Sequence, residues 1–260
     1  MSNNIIAFIP ARSGSKSISD KNIKLLGGKP LMVWSIQSAL ESGFQRVIVS
    51  TDSKEYVKIA RKWGADVLIR PQSLAGDKTS MLEVLQHEVP RIEPKPDFVF
   101  LMQATNPFRK KQHIKLAISM LVNYADKYDS VISVERVPEK WNPYAMILET
   151  GIGKGIIFSK LKGMKQKISS LFTGKKYQGP LLSGYPISER MTRRQDLPPC
   201  WLPTGSVYLF KTENLSKGSI YGERVMLLET EPEININSQK DFQIAVEFYG
   251  QHEVLSNYVK

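Results

Sequence analysis

The chain has few of the residues that bind metals, form disulfides or cross membranes. It contains a single cysteine, Cys200, which cannot form an intrachain disulfide, and no set of cysteine and histidine has zinc-site spacing. No apolar run is long enough to span a bilayer, and the first residues lack the pattern of a signal segment. These absences argue against a membrane protein and a secreted disulfide-stabilised domain, and they favour the reducing cytoplasm.

Acidic residues are outnumbered by basic ones, 25 to 36, which gives a formal net charge of +11. Much of the excess lies in a lysine-rich segment between Lys154 and Lys176, and no stripe of alternating basic and aromatic residues accompanies it. We therefore expect a solvated basic face, or attraction of small anionic substrates, rather than nucleic-acid binding.

Short apolar segments alternate with amphipathic ones through the first half of the chain. The strand-like segments are residues 5–9, 47–49, 67–69, 98–102 and 131–134. Helical periodicity fills the intervals, as between Pro30 and Gly43, where Met32, Ile36, Ala39 and Leu40 share one face. This alternation predicts an α/β fold with a mostly parallel sheet that helices cover on both faces.

The regular alternation stops at residues 136–200, which mix proline, glycine, lysine and short apolar pieces. It resumes with strand-like segments at 206–210 and 225–228 and a closing helix near 239–248. The length of 260 residues suits one domain. We therefore predict a single domain over 1–260 in which 136–200 is an inserted element.

The loop after the first strand is small and basic. Residues 10–22 carry three cations, Arg12, Lys16 and Lys21, with almost nothing near them in the sequence to neutralise their charge. Small residues let a backbone approach a ligand closely, and cations bind phosphate or carboxylate oxygens. The glycine spacing fits neither a Walker loop nor a dinucleotide-binding turn. Its place directly after a buried strand favours an anion site over a solvated surface loop.

Ligands of parallel sheets bind beyond the carboxyl ends of the strands. That rule selects four polar loops: 10–22, 51–53, 70–80 and 103–109. Cys200 and the three histidines all lie outside these loops, which disfavours a cysteine–histidine hydrolase.

Nine short motifs stand in order between about residue 5 and residue 245. They are IPARSGSK at 9–16, KN at 21–22, GKPL at 28–31, STDS at 50–53, RP at 70–71, LAGDKTS at 74–80, QATNPFR at 103–109, RQDLP at 194–198 and PTGSVY at 203–208. As a set they resemble the motifs of the acylneuraminate cytidylyltransferases, the CMP-sialic acid synthetases.

The resemblance implies a Rossmann-like nucleotidyltransferase fold and a homodimer, in which the element at 136–200 covers part of the partner's sugar site. It also implies an enzyme. The anomeric hydroxyl of a nonulosonic acid, such as sialic, legionaminic or pseudaminic acid, would attack CTP and give the CMP-sugar and pyrophosphate, with help from Mg²⁺.

The resemblance further implies roles for single residues. Arg12, Lys16 and Lys21 would be catalytic, because they would hold the triphosphate and stabilise the charge on the leaving pyrophosphate. The nucleotide pocket would be lined by Ala11, Arg12, Asn22, Arg70, Asp77, Thr79 and Ser80. The sugar side would be formed by Gln103, Arg109, Gln195 and Thr204.

The segment at 233–237 departs from the family pattern. Members of the family carry an aspartate there whose carboxylate binds the catalytic metal, whereas this chain has Asn235 and Asn237. Amide oxygens bind Mg²⁺ without adding negative charge, so we expect the ion to arrive largely with CTP. Asn235 and Asn237 remain the candidate metal ligands.

Two alternatives stay open. The first is activation of an eight-carbon 3-deoxy sugar acid, which Thr105 disfavours because that family carries an acidic metal ligand there. The second is a catalytically weak paralogue that binds nucleotide or sugar, and its motivation is the pair Asn235 and Asn237.

Overall fold

A computed structural model of the chain describes residues 4–142, 148–150, 176–178 and 199–258. The chain forms two compact units, one of Met1–Glu135 with Pro203–Lys260 and the other of Arg136–Leu202. The single-domain arrangement and the role of 136–200 stay predictions. In the part of the chain that is described, no helix is both long and apolar enough to cross a membrane.

The helices and strands follow one another in the alternating order that the sequence predicts. The described helices are α1 (Leu31–Ser42), α2 (Lys54–Lys62), α3 (Met81–Glu88), α4 (Lys111–Asn123) and α5 (Gln239–Tyr258). The described strands are β1 (Ile5–Pro10), β2 (Leu25–Leu26), β3 (Lys29–Pro30), β4 (Val47–Thr51), β5 (Asp66–Ile69), β6 (Phe98–Leu101), β7 (Ser130–Arg136), β8 (Leu148–Thr150), β9 (Lys176–Gln178), β10 (Trp201–Lys211) and β11 (Val225–Glu229).

Seven strands form one sheet in the order β11, β7, β10, β6, β1, β4, β5. β1 pairs in parallel with both β4 and β6, β4 with β5, and β11 with β7. β10 runs antiparallel to β6. The prediction of an α/β fold with a mostly parallel sheet is confirmed.

The central strands are apolar at nearly every position because both faces of the sheet are covered. Side chains alternate across a strand, so Ala7 and Ile9 of β1 enter one core while Ile6 and Phe8 enter the other. The first core includes residues of α1, α2 and α4, and the second includes residues of α3. Helix α3 is therefore placed on the opposite face of the sheet from α1.

One residue of the predicted α1 stripe lies at the surface instead. Met32, Ile36 and Ala39 are fully buried, but Leu40 is 41% exposed. Its side chain extends toward Gly64, just beyond the end of α2, because position 40 falls at the margin of the buried stripe.

Candidate active site

A cleft of about 250 Å³ opens at the edge of the sheet where β1, β5 and β6 end. β1 pairs in parallel with β4 and β6, and β4 pairs in parallel with β5. The loops that follow these strands therefore emerge at the same edge of the sheet. Seven residues named from the sequence line the cleft: Arg12, Lys21, Asn22, Arg70, Thr79, Gln103 and Asn237.

A larger groove of about 750 Å³ lies near the start of β1 and the residues that precede β4. Its main cation, Arg46, already donates to the carbonyl oxygens of Glu93 and Pro94 at 2.8 and 2.7 Å. The groove also lies at the amino ends of the parallel strands, where ligands of such sheets do not bind. The smaller cleft is therefore the candidate active site.

Asp52 fixes the basic loop after β1. The amide nitrogen and the hydroxyl of Ser13 donate to its two carboxylate oxygens at 2.8 and 2.6 Å. Burial would raise the pKa of Asp52, but these hydrogen bonds and the charge of Arg70 hold it below its usual value. The sequence placed loop 51–53 among the ligand-facing loops. Instead, Asp52 is absent from the cleft wall and ties the basic loop to the end of β4.

Asp77 neutralises two of the three cations. Its carboxylate oxygens lie 2.7 Å from Nη2 of Arg12 and 2.6 Å from Nζ of Lys16. Hydrogen bonds from Lys16 and Arg12 lower the pKa of Asp77, so it stays ionised. The expectation that almost nothing balances these cations is therefore wrong. Asp77 follows β5, and only the sheet brings it next to the loop after β1.

Lys21 has no acidic partner among the described residues. Its ammonium donates to the carbonyl oxygen of Ile236 at 3.1 Å, and within the described chain no carboxylate lies within 4.0 Å of it. Burial and the neighbouring charge of Arg12 lower the pKa of Lys21, while Asp241 opposes that change. Among the described residues, Lys21 is therefore the cation of the basic loop without an ion pair to a carboxylate.

Three residues predicted to bind nucleotide make hydrogen bonds with backbone groups at or next to the cleft. Asn22 lines the cleft, and its Nδ2 donates to the carbonyl oxygen of Arg12 at 2.9 Å. The amide nitrogen of Ala11 donates to the carbonyl oxygen of Ser50, and Ala11 is fully buried. Ser80 caps the start of α3, where its hydroxyl accepts from the amide of Glu83 at 3.2 Å.

Arg70 is almost completely buried, at 4% exposure, yet it reaches the cleft wall. Its Nε and Nη2 donate to the hydroxyl oxygen of Ser50 at 2.9 and 2.8 Å. Burial lowers the pKa of Arg70, and the charges of Glu88 and Asp52 oppose this. Arg70 thus offers a fixed cation on the side of the cleft formed by β5 and α3.

The predicted sugar-side residues are not all on the cleft wall. Gln103 lines it, but Arg109 is only 6% exposed and donates to the carbonyl oxygens of Ser206 and Gln103 at 2.6 and 3.1 Å. Burial lowers the pKa of Arg109 to about 10, although Glu233 opposes the change. Arg109 therefore contacts the backbone behind the cleft, and its part in the sugar site stays a prediction.

The two remaining residues predicted on the sugar side are Thr204 and Gln195. The hydroxyl of Thr204 lies 2.7 Å from that of Ser133, so β10 and β7 share this contact. Thr204 is absent from the cleft wall. Gln195 lies outside the described residues.

The candidate metal ligands are held by the start of α5. Asn237 lines the cleft, and the Asp241 carboxylate accepts from the amides of Asn237 and Ser238 at 3.0 and 2.7 Å. Asn235 has a buried amide oxygen that finds no hydrogen-bond partner among the described residues. These oxygens suit Mg²⁺ as neutral ligands.

Carboxylates near the cleft are already engaged. Asp52 binds Ser13, Asp241 caps α5, and Glu233 lies 3.1 Å from Nδ1 of His113. Over the described ranges, no three His, Cys, Asp or Glu side chains are arranged to hold a metal ion.

Sequence reasoning missed the apolar side of the cleft. Met81 and Val84 of α3 line it, and Glu88 lies buried one turn beyond Val84. In the sequence these residues follow the periodicity of an ordinary amphipathic helix, so nothing separates them from core and surface positions.

Known proteins resemble this chain in sequence and in fold. Residues 6–146 match the family described as Cytidylyltransferase. An N-acylneuraminate cytidylyltransferase of Escherichia coli O18:K1:H7 is 45% identical over 137 residues, which are 52% of this chain and 32% of that protein. One from Streptococcus agalactiae serotype V is 30% identical over 243 residues, 91% of this chain and 51% of that protein. The chain thus spans about half or less of the length of these two relatives.

A relative of similar size and a solved structure extend the comparison. Post-translational flagellin modification protein B of Campylobacter coli is 28% identical over 253 residues, 94% of each chain. The structure of CMP:2-keto-3-deoxy-manno-octonic acid synthetase complexed with CTP has a TM-score of 0.67 at 13% identity, covering 96% of this chain and 100% of that one. This likeness shows a shared fold. Since the family match covers more than half of the 260 residues, the chain belongs to the cytidylyltransferase family.

Proposed function

We propose that this protein transfers CMP from CTP to the anomeric hydroxyl of a nonulosonic acid and releases pyrophosphate. The observation that carries the proposal is the cleft in which Lys21 and Arg12 approach from the loop after β1 while Arg70 closes the opposite side. The names of the relatives from Escherichia coli and Streptococcus agalactiae support the choice of a nonulosonic acid as acceptor.

This reaction requires the protein to position the two substrates and to neutralise their negative charge, more than to supply a nucleophile. The sugar hydroxyl forms a new bond to the α-phosphorus, the bond to the β-phosphate oxygen breaks, and the hydroxyl proton is lost. Negative charge accumulates on the departing pyrophosphate. The ammonium of Lys21 would stabilise the charge on pyrophosphate directly. Arg12 and Lys16 would add their positive charges once the ligand displaces Asp77 from them.

We propose Mg²⁺ as the cofactor, carried into the cleft by CTP. When bound, the ion neutralises part of the triphosphate charge. Asn237, which lines the cleft, would add an oxygen ligand, and Asn235 would add a second.

We also propose that the protein acts as a homodimer in the cytoplasm, with CTP and an acidic sugar as its partners rather than nucleic acid or a membrane. In this proposal Gln195 and the rest of 136–200 contribute to the sugar site of the other subunit. Sedimentation equilibrium of the full chain tests it, and a monomer at micromolar concentration would contradict it.

The activity is tested by giving the purified full chain CTP, Mg²⁺ and a panel of sugar acids while pyrophosphate is measured. The panel contains sialic, legionaminic and pseudaminic acids and an eight-carbon 3-deoxy acid. We expect release with at least one nine-carbon acid. Release with the eight-carbon acid alone would support the first alternative, and CTP binding without release from any acid would support the inactive paralogue.

A carboxylate in place of the amide at position 235 is expected to strengthen the binding of Mg²⁺. Asn235→Asp should lower the Mg²⁺ concentration needed for half-maximal activity by about 10-fold, because a charged oxygen ligand binds this ion better than a neutral one. Titration of activity with Mg²⁺ at saturating CTP measures the effect. Asn123→Asp, the same change at an exposed position at the end of α4, is the control. An unchanged Mg²⁺ requirement would show that position 235 does not contact the metal.

The ion pairs of Asp77 predict competition with anionic ligands. Asp77→Asn should tighten the binding of inorganic pyrophosphate by about 2- to 5-fold, because the carboxylate no longer competes for Arg12 and Lys16 and exposed ion pairs of this kind are weak. Calorimetric titration of the wild type and the variant measures the change. Weaker binding in the variant would instead mean that Asp77 itself contacts the ligand.

A further inference from the structure

A buried carboxylate stands behind Arg70. Glu88 is the last residue of α3 and is fully buried among apolar neighbours that include Leu85 and Val89. Neither of its carboxyl oxygens has a hydrogen-bond partner among the described residues. A carboxylate at the C-terminal end of a helix also faces the negative end of the helix dipole. Stability alone therefore does not account for an acidic residue at this position.

The neighbours of Glu88 connect it to the cleft. Ser50, on β4, is fully buried, and its hydroxyl oxygen accepts from both Nε and Nη2 of Arg70. Since that oxygen is already an acceptor, the hydroxyl hydrogen is left for a third group. Ile48, two residues before Ser50 on β4, packs in the same core as Val84 and Leu85 of α3, so alternation along the strand turns the Ser50 side chain to the face of the sheet that α3 covers. The Ser50 hydroxyl and the Glu88 carboxyl group are therefore buried on the same face of the sheet, where the Ser50 oxygen contacts the guanidinium of Arg70.

Arg70 has donors left for a ligand. Its Nη1 makes no hydrogen bond to the described chain, while Nε and Nη2 are fixed on Ser50. Arginine carries donors and no acceptors. A cytosine ring offers two acceptors, O2 and N3, whereas uracil carries a hydrogen on N3. A guanidinium held in one orientation at the cleft wall therefore favours cytosine over uracil.

We propose that Glu88 is a positioning residue for nucleotide selection, which orients the guanidinium of Arg70 through the hydroxyl of Ser50. This inference rests on the proposed function, because it assumes that the base of CTP binds beside Arg70. The carboxylate draws the Ser50 hydrogen toward itself, which leaves the Ser50 oxygen to accept from Arg70 and fixes the plane of the guanidinium. Glu88 makes no contact with the ligand.

Binding measurements on the full chain test this role without the need for turnover. Glu88→Gln keeps the shape of the side chain but replaces one acceptor oxygen with an NH2 group. We expect it to raise the Kd for CTP about 10-fold and to lower the preference for CTP over UTP by a similar factor, with the binding of inorganic tripolyphosphate unchanged. Glu41→Gln, the same chemical change at an exposed position on α1, is the control and should leave all three constants unchanged.

A second variant keeps the inference testable if burial makes Glu88→Gln unstable. Ser50→Ala removes the hydroxyl that connects the two charges and should give the same loss of preference for CTP. The double variant should then be no worse than either single one, since all three break the same connection. Additive losses would overturn the proposed connection.

The outcomes separate this inference from the proposed function. If the wild type binds neither CTP nor UTP, the proposed function fails and the inference fails with it. If the wild type prefers CTP and Glu88→Gln changes only the melting temperature, Glu88 has a structural role and the inference alone is wrong. A wild type that binds CTP and UTP equally would also overturn it.

Discussion

Lys21→Met is expected to lower kcat for CMP transfer by about 100- to 1,000-fold, the usual loss when one preorganised charge-stabilising donor is removed. Arg12 and Lys16 share the charge of Asp77, so Lys21 is the cation of the basic loop with the least internal neutralisation. Charge accumulates on pyrophosphate as it leaves, and the loss should therefore appear in kcat more than in KM. Steady-state rates of pyrophosphate release at varied CTP measure both constants.

Two controls separate charge from structure in this experiment. Lys21→Arg keeps the charge and should recover part of the rate. Lys62→Met removes an exposed lysine at the end of α2 and should leave the rate unchanged. Lys21 also donates to the carbonyl oxygen of Ile236, so urea unfolding of each variant is needed to exclude a loss of fold. A Lys21→Met protein with wild-type kcat would remove Lys21 from the catalytic group.

Asp129→Asn is expected to lower the free energy of unfolding by about 3 kcal/mol, because it removes a buried charge from its paired cations. The Asp129 carboxylate accepts from the amides of Glu223 and Arg224 at 3.1 and 2.9 Å. It also accepts from the guanidinium of Arg224 at 3.1 Å, and Lys211 lies 3.5 Å away. These contacts join the start of β7 to the segments that end β10 and begin β11.

The same carboxylate makes the loss depend on pH. Burial would raise the pKa of Asp129, but hydrogen bonds from Arg224 and Glu223 outweigh burial and hold the pKa far below its usual value. A folded-state pKa below the unfolded value of about 3.9 stabilises the protein fully above that pH. The stabilisation is lost as the pH falls further, so the difference between wild type and Asp129→Asn should shrink below about pH 4.

Urea unfolding at pH 7, 4 and 3 measures this dependence. Asp126→Asn, an exposed aspartate three residues earlier, is the matched control and should change stability by less than about 0.5 kcal/mol. A difference for Asp129→Asn that stays constant with pH would mean that packing, and not charge, accounts for the loss.

The strands were predictable because a parallel sheet with both faces covered leaves a direct mark on the sequence. β1, β4 and β6 are predicted from continuous apolar segments, because successive side chains enter different cores and both cores are buried. In β1, for example, Ile6 and Ala7 enter different cores, and both are fully buried. The antiparallel direction of β10 has no such mark, because a buried strand is equally apolar in either direction.

The loops that form the cleft were predictable, but the partners within them were not. The rule on strand ends selects loops 10–22, 51–53, 70–80 and 103–109, and all of them except 51–53 line the cleft. It cannot show that Asp77 pairs with Arg12 and Lys16, or that Arg109 faces inward to backbone carbonyls. Those contacts depend on the relative placement of strands that lie far apart in the chain.

Glu88 illustrates the same limit in a single residue. A glutamate at the end of an amphipathic helix is ordinarily a solvated residue, and the sequence offers no sign that this one is buried. Its position follows only when α3 packs on the face of the sheet where Ser50 and Arg70 meet.

The pairing of Asp77 with Arg12 and Lys16 also sets a threshold for entry into the cleft. A small anion such as chloride or a single phosphate must displace a carboxylate that already satisfies both cations, and it gains little by the exchange. In the proposed function a triphosphate would bind these two cations and also Lys21, whose ammonium contacts the carbonyl oxygen of Ile236 and no carboxylate of the described residues. A ligand with several charges in a row would therefore replace the Asp77 contacts more readily than a simple anion would.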